Sequence, residues 1–203
     1  MERNQNYVEL WGVAAGEPVF SHENHTRRFD KFPLRVERLS GQNDVPVIVT
    51  SEALLRVCPV EEGQSLRIVG QLRSFNNKSG QGSRLVISVF AHQLTLGGES
   101  PFNQIQLSGI LCRTPTLRRT PLGRSISDLI LAVPRSYGRA DYLPVIAWGQ
   151  VASQVCTLEA GAPLSLEGRV QSRVYRKVTE TGPEERTAYE VSVMRLLDPE
   201  DEP

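Results

Sequence analysis

Tyr142-Leu-Pro-Val-Ile-Ala-Trp148 decides how this chain is read. The run alternates: Leu143, Val145 and Ala147 share one side, and Tyr142, Pro144, Ile146 and Trp148 share the other. That is the period of a β-strand with one face on a core. A later stretch repeats the pattern. Leu164, Leu166, Gly168 and Val170 form an apolar side, while Arg169, Gln171, Arg173 and Tyr175 take the opposite one. Aromatics interleaved with arginines on an open sheet face suit single-stranded nucleic acid, because bases stack on rings and guanidinium groups neutralise phosphates.

Working outward from this run, the sequence repeats itself. Asn6-x-Val8-x-Leu10-x-Gly12 returns as Asn103-x-Ile105-x-Leu107-x-Gly109. Pro18 returns as Pro115, and Phe32-x-Leu34-x-Val36-x-Arg38 returns as Leu129-x-Leu131-x-Val133-x-Arg135. These matches are offset by 97. Farther on the offset is 98, pairing Pro46-Val47-Ile48 with Pro144-Val145-Ile146, Cys58 with Cys156, Gly63 with Gly161, and Leu66-x-Ile68-x-Gly70 with Leu164-x-Leu166-x-Gly168. Two unrelated β segments would not hold a common register over this span, so the chain reads as two copies of one fold.

Each copy predicts the same order. A strand (Tyr7–Ala14 or Gln104–Cys112) is followed by a loop and a second strand (Lys31–Arg38 or Ser125–Arg135). A third strand (Val45–Thr50 or Leu143–Trp148) leads to a short helix (Ser51–Val57 or Gln150–Thr157), with Ser51 as an N-cap. A fourth strand and a hairpin lead to a last strand (Arg84–Leu94 or Thr187–Leu197). The expectation is an all-β chain of two tandem five-stranded OB-fold barrels, each with a short helix between strands three and four. The expected domains are residues 1–98, residues 103–197 and a short acidic tail, 198–203, with a joint near Gly97–Pro101.

Charge and cysteines narrow the class. The 203 residues carry a formal net charge of +0 and are 39% hydrophobic. Residues 103–197 nevertheless hold 12 basic against 8 acidic side chains, while residues 198–203 hold four acidic ones. Cys58, Cys112 and Cys156 form no Cys-x-x-Cys pair, and their apolar contexts predict buried free thiols in a reducing, cytoplasmic setting. The N-terminus has no apolar leader and no apolar run approaches 18 residues, so no membrane partner is expected. His22-x-x-His25 lacks a third ligand nearby, and neither a metal nor a cofactor is expected. The chain contains no Gly-x-x-x-x-Gly-Lys, His-Glu-x-x-His or Gly-x-Ser-x-Gly, and is expected not to be an enzyme.

Residues 103–197 resemble the bacterial single-stranded DNA-binding protein family. The resemblance is carried by Asn103-Gln-Ile-Gln-Leu-Ser-Gly109, Thr114-Pro-Thr-Leu-Arg-Arg-Thr-Pro-Leu-Gly123 and Leu129-Ile-Leu-Ala-Val-Pro-Arg135. It continues in Val145-Ile-Ala-Trp-Gly149, Leu158-Glu-Ala-Gly161 and Leu166-Glu-Gly-Arg-Val-Gln-Ser-Arg-Val-Tyr175. It implies a nucleic-acid site made of Tyr137, Tyr142, Trp148 and Tyr175, with Arg118, Arg119, Arg135, Arg173, Arg176 and Lys177 as basic contacts. It also implies single-stranded DNA as partner, roles in DNA replication, repair and recombination, possible recruitment of proteins of those processes, and a homodimer presenting four OB folds. At offsets of 97 and 98, the first copy's counterparts of the four aromatics are Ser40, Asp44, Thr50 and Asn77, so that copy is expected to be degenerate for stacking. The family's acidic tip ends in an aromatic, which Asp198-Pro-Glu-Asp-Glu-Pro203 lacks. An alternative on the same fold is a primosome-like subunit that docks proteins and binds DNA weakly.

Overall fold

A computed structural model describes residues 6–78, 83–98, 100–179 and 182–197, without the side chains of Lys177 and Thr179. The tail 198–203 and Glu99 in the joint lie outside the described residues. The fold is mostly β, as the alternation requires.

The first copy contains β1 (Asn6–Ala14), β2 (Val19–Asn24), β3 (Arg27–Glu37), β4 (Asn43–Asp44), β5 (Val47–Ser51), α1 (Glu52–Val57), β6 (Ser65–Asn76) and β7 (Leu85–Leu96). The second contains β8 (Phe102–Leu111), β9 (Thr116–Arg119), β10 (Ser125–Pro134), a 3-10 turn (Ser136–Gly138), β11 (Ala140–Trp148), α2 (Gly149–Val155), β12 (Pro163–Thr179) and β13 (Gly182–Leu196). Three short strands were not expected: β2 and β9 fall where the sequence predicted loops, and the two-residue β4 falls between the second and third expected strands. Arg118 and Arg119 therefore sit on an edge strand.

In each copy the strand pairings return to their starting point. β1 pairs with β6, β6 with β7, β7 with β5, β5 with β3, and β3 again with β1. The second copy follows the same path through β8, β12, β13, β11 and β10, with β10 returning to β8. The contacts β5–β7 and β11–β13 are parallel. Alternate side chains fill each interior. Leu10, Leu34, Ile48 and Leu66 are fully buried in one copy; Ile105, Leu131, Leu143 and Leu166 in the other.

The glycines of the repeat have a steric reason. A Cβ on Gly12 would lie 2.4 Å from the Arg35 carbonyl oxygen, and one on Gly109 would lie 2.5 Å from that of Ala132. A side chain in either place would drive into backbone, so strands that bend this tightly need glycine there.

By contacts the chain forms two compact units, interleaved in sequence. One comprises Met1–Tyr7, Gln104–Val170 and Glu190–Pro203; the other comprises Val8–Asn103 and Gln171–Tyr189. Within the latter, Ser172 accepts a hydrogen bond from the Val45 N–H at 2.9 Å and donates its own N–H to Asp44 Oδ1 at 2.9 Å.

The register corrects the alignment of the copies. Phe32 pairs with Ile48 and Leu129 with Val145; Phe29 pairs with Ser51 and Ile126 with Trp148. The offset is thus still 97 at the end of β5 and β11. It is 98 within the helix, where Cys58 N–H bonds to Leu54 O and Cys156 N–H to Ala152 O. The extra residue lies in the helix, and α2 is one residue longer than α1. Matching Pro46-Val47-Ile48 to Pro144-Val145-Ile146 was one residue out, a slip that sends every side chain to the wrong face. The counterpart of Tyr142 is Val45, and that of Trp148 is Ser51. The cysteines also depart from expectation: Cys58 is buried, Cys156 intermediate and Cys112 exposed.

Candidate nucleic-acid interface

Three paired strands build the candidate face of the second copy. Across them, Arg118 of β9 lies opposite Ile126 of β10, which lies opposite Trp148 of β11. Cross-strand partners share a face, so these three side chains form one row. Six residues back along β11, Tyr142 shares that face, opposite Ala132. At about 3.3 Å per residue the two aromatics lie about 20 Å apart, and Arg118 stands two strands, or about 10 Å, from Trp148. Tyr142 is 54% exposed. Trp148 is partly buried and occupies the N-cap position of α2, where it makes no side-chain cap; Ser51, in the same place, caps α1 by accepting from Leu54 N–H. A capping hydroxyl in one copy has become a large ring in the other.

Tyr137 stands on the 3-10 turn after β10. Its ring is fully exposed, and its φ of 62° lies in the left-handed region that a residue of this size seldom adopts.

The arginines differ from one another. Arg135 donates through Nε and Nη2 to the two oxygens of Asp141, whose side chain is fully buried. Arg38 and Asp44 form the same forked pair in the first copy, and the hydrogen-bonded Asp44 holds the Arg38 guanidinium above its usual range. The same fork braces the same turn in both copies, and Arg135, expected as a phosphate contact, is 26% exposed within it. Arg118 pairs with Asp128 at 2.7 Å, and Arg176 with Glu185 at 3.6 Å. Arg119 and Arg173 are exposed and form no ion pair among the described residues.

Tyr137, Tyr142, Trp148, Arg118, Arg119 and Arg135 belong to one compact unit. Arg173, Tyr175 and Arg176 belong to the other, on the outer part of the β12–β13 hairpin. Tyr175 is partly buried, and the side chain of Lys177 lies outside the described residues.

A feature that sequence reasoning missed lies in the first copy. His22 of β2 stacks on Phe29 of β3 with ring centres 5.0 Å apart and planes 11° apart. Phe29 in turn meets Phe90 of β7 at 5.6 Å, and Phe90 meets His92 at 5.5 Å. The signal was present as rings at alternate positions, but the misplaced slip pointed to Thr50 instead of this row. Thr50 is fully buried, and its hydroxyl has no hydrogen-bond partner among the described residues.

With this geometry in hand, similarity to known proteins can be placed on it. A family model described as "Single-strand binding protein family" matches residues 102–197. Single-stranded DNA-binding protein B of Bacillus subtilis is 33% identical over 81 residues, which cover 36% of this chain and 72% of that protein. The single-stranded DNA-binding protein of Halalkalibacterium halodurans is 34% identical over 80 residues, 36% of this chain and 48% of that one. The chain thus spans about half the length of several curated relatives it matches. A crystal structure of a deletion mutant of the Thermus aquaticus single-stranded DNA binding protein shares the fold, with a TM-score of 0.78 at 24% identity, covering 98% of this chain and 96% of that one. The matched residues are those that build β8 to β13 and carry the row ending at Trp148, so the resemblance seen in the sequence holds: this chain belongs to the single-strand binding protein family.

Proposed function

We propose that this chain binds single-stranded DNA without chemistry, stacking bases on Tyr142, Trp148, Tyr137 and Tyr175 and neutralising phosphates with Arg118, Arg119, Arg173, Arg176 and Lys177. The observation that supports it most is the row from Arg118 to Trp148, with Tyr142 on the same sheet face, inside the segment that the family model matches. A ring flanked by a guanidinium offers a base its π face and the next phosphate a cation. Arg135 contributes by holding the turn that carries Tyr137.

The architecture follows in the same reading. Each closed path of pairings is a five-stranded OB barrel, and the domains are residues 1–98 and 103–197. Two barrels per chain make four in a symmetric homodimer. The setting is cytoplasmic, in DNA replication, repair and recombination.

One observation favours the docking alternative. Arg118, Arg135 and Arg176 already have carboxylate partners, which leaves less free positive charge than a strand-coating surface would use. A titration of oligo-dT binding against salt separates the two readings. Coating predicts tight binding whose log affinity falls by about 0.7 per phosphate contact for each unit of log salt. Micromolar binding with a shallow slope would favour docking.

A further inference from the structure

The corrected register makes two rows equivalent. In the second copy the row is Arg118, Ile126, Trp148; in the first it is His22, Phe29, Ser51. Each row carries aromatic surface, but on different strands. Trp148 stands on β11 opposite an aliphatic Ile126, whereas Phe29 stands on β3 opposite a small Ser51. The loss of an aromatic at the Trp148 position is therefore matched by a gain on the neighbouring strands.

From this exchange we infer that the first copy has its own base-stacking site, with the exposed His22 ring stacked on Phe29 and Phe29 in turn against Phe90. The inference rests on the reading of the family fold as a single-strand binder, and extends it to the copy that appeared degenerate in sequence. Four observations support it.

His22 is exposed while Phe29 below it is 9% exposed, so one imidazole face is covered and held nearly parallel to the ring beneath. A ring fixed this way meets a base with little further loss of side-chain freedom. Ser21 Oγ lies 3.1 Å from His22 Nδ1, which fixes the ring about its other axis.

Second, cations flank the ladder. Arg27 is exposed and makes no ion pair among the described residues. Arg28 is held by Asp30 at 2.8 Å and lies 5.4 Å from the centre of the Phe20 ring. Arg27 is thus the cation available to a phosphate.

Third, Phe29, Phe90, His92, Arg27 and Arg28 line an open cleft of about 750 Å³ that runs to α1. Its size falls in the range of ligand clefts, roughly 300–1,000 Å³. Arg56 on its rim is paired with Glu52 at 2.9 Å.

Fourth, the turn that joins β2 to β3 holds His25 at φ 46° and Thr26 at φ 63°. These are the dihedral signs of the tight hairpin turns that glycine and asparagine favour. A β-branched threonine there is strained, and such strain tends to collect at binding sites. The turn sets Arg27 directly beside the ladder.

The 203-residue chain tests this with four single variants: His22→Ala, His22→Phe, Arg27→Ala and Trp148→Ala. The probes are oligo-dT of about eight nucleotides, within the roughly 4–16 that one OB fold occupies, and poly-dT. Wild type is expected to bind two short oligonucleotides per chain. His22→Ala should reduce this to one and shorten the length of poly-dT occluded per chain, and His22→Phe should restore both. Arg27→Ala should lower the salt slope by about 0.7. One short oligonucleotide per chain in wild type, or unchanged stoichiometry and occluded length in His22→Ala, would overturn the inference. If Trp148→Ala leaves binding intact while His22→Ala abolishes it, the assignment of the second copy fails and the site proposed here stands.

Discussion

Replacing Asp141 by Asn asks whether Arg135 belongs to the scaffold or to the DNA surface. The Asp141 side chain is fully buried, while that of Arg135 is 26% exposed. Removing one member of a buried ion pair costs about 3–5 kcal/mol, because the other is left charged and uncompensated. Water reaches part of the Arg135 guanidinium and lowers that penalty, so the expectation is about 2–3 kcal/mol. For a domain of roughly 100 residues, 1 kcal/mol moves the melting temperature by about 4–8 °C, and the expected fall is roughly 10–20 °C. Thermal unfolding followed by circular dichroism reads it. Asp44→Asn should cause a similar fall, since Arg38 and Asp44 repeat the geometry. Arg135→Lys should also destabilise, because an ammonium cannot form the fork. The reasoning is refuted if Asp141→Asn melts within about 2 °C of wild type. It is equally refuted if Arg135→Ala loses oligo-dT affinity with its melting temperature unchanged.

Two further outcomes follow from the packing. Gly109→Ala places a Cβ 2.5 Å from the Ala132 carbonyl oxygen, and backbone must shift; a loss of about 1–3 kcal/mol in urea unfolding is expected, whereas Gly123→Ala, with open space around it, should cost only the strain of its φ of 78°. His92 has its pKa lowered, first by desolvation and then by the Arg73 guanidinium. The unfolded chain then binds the proton more readily than the folded one, so stability should fall as pH drops through about 6.5 toward the lower folded value, and His92→Gln should flatten that slope.

The strands were legible because one face of each is buried. Leu143, Val145 and Leu166 show this in the alternation itself, and the repeat then tied both copies to one order of elements. What misled was a short identity. Pro-Val-Ile occurs in both copies, yet Ile48 and Val145 hold the same interior position. Similar residues one step apart outweighed the period of two, and the helix that absorbs the extra residue left no mark in sequence. β2 and β9 escaped notice because edge strands with both sides open carry no alternation: every residue of Thr116–Arg119 is exposed. The site residues were legible as types rather than as environments. Nothing in the sequence shows that Asp141 is buried beneath Arg135, or that Phe29 and His22 meet across two strands.

Trp148 supplies the most direct test of the account. Its ring is the large aromatic of the row on β11, and a base stacked on it should quench its fluorescence. Stacking is worth about 1–3 kcal/mol per base by alanine substitution, and 1.4 kcal/mol is a factor of ten. Oligo-dT titrated at one fixed salt into wild type and Trp148→Ala should therefore show quenching in the former and an affinity at least about fivefold weaker in the latter. Equal affinities, with no quenching of the wild-type fluorescence, would contradict the claim that this face binds single-stranded DNA.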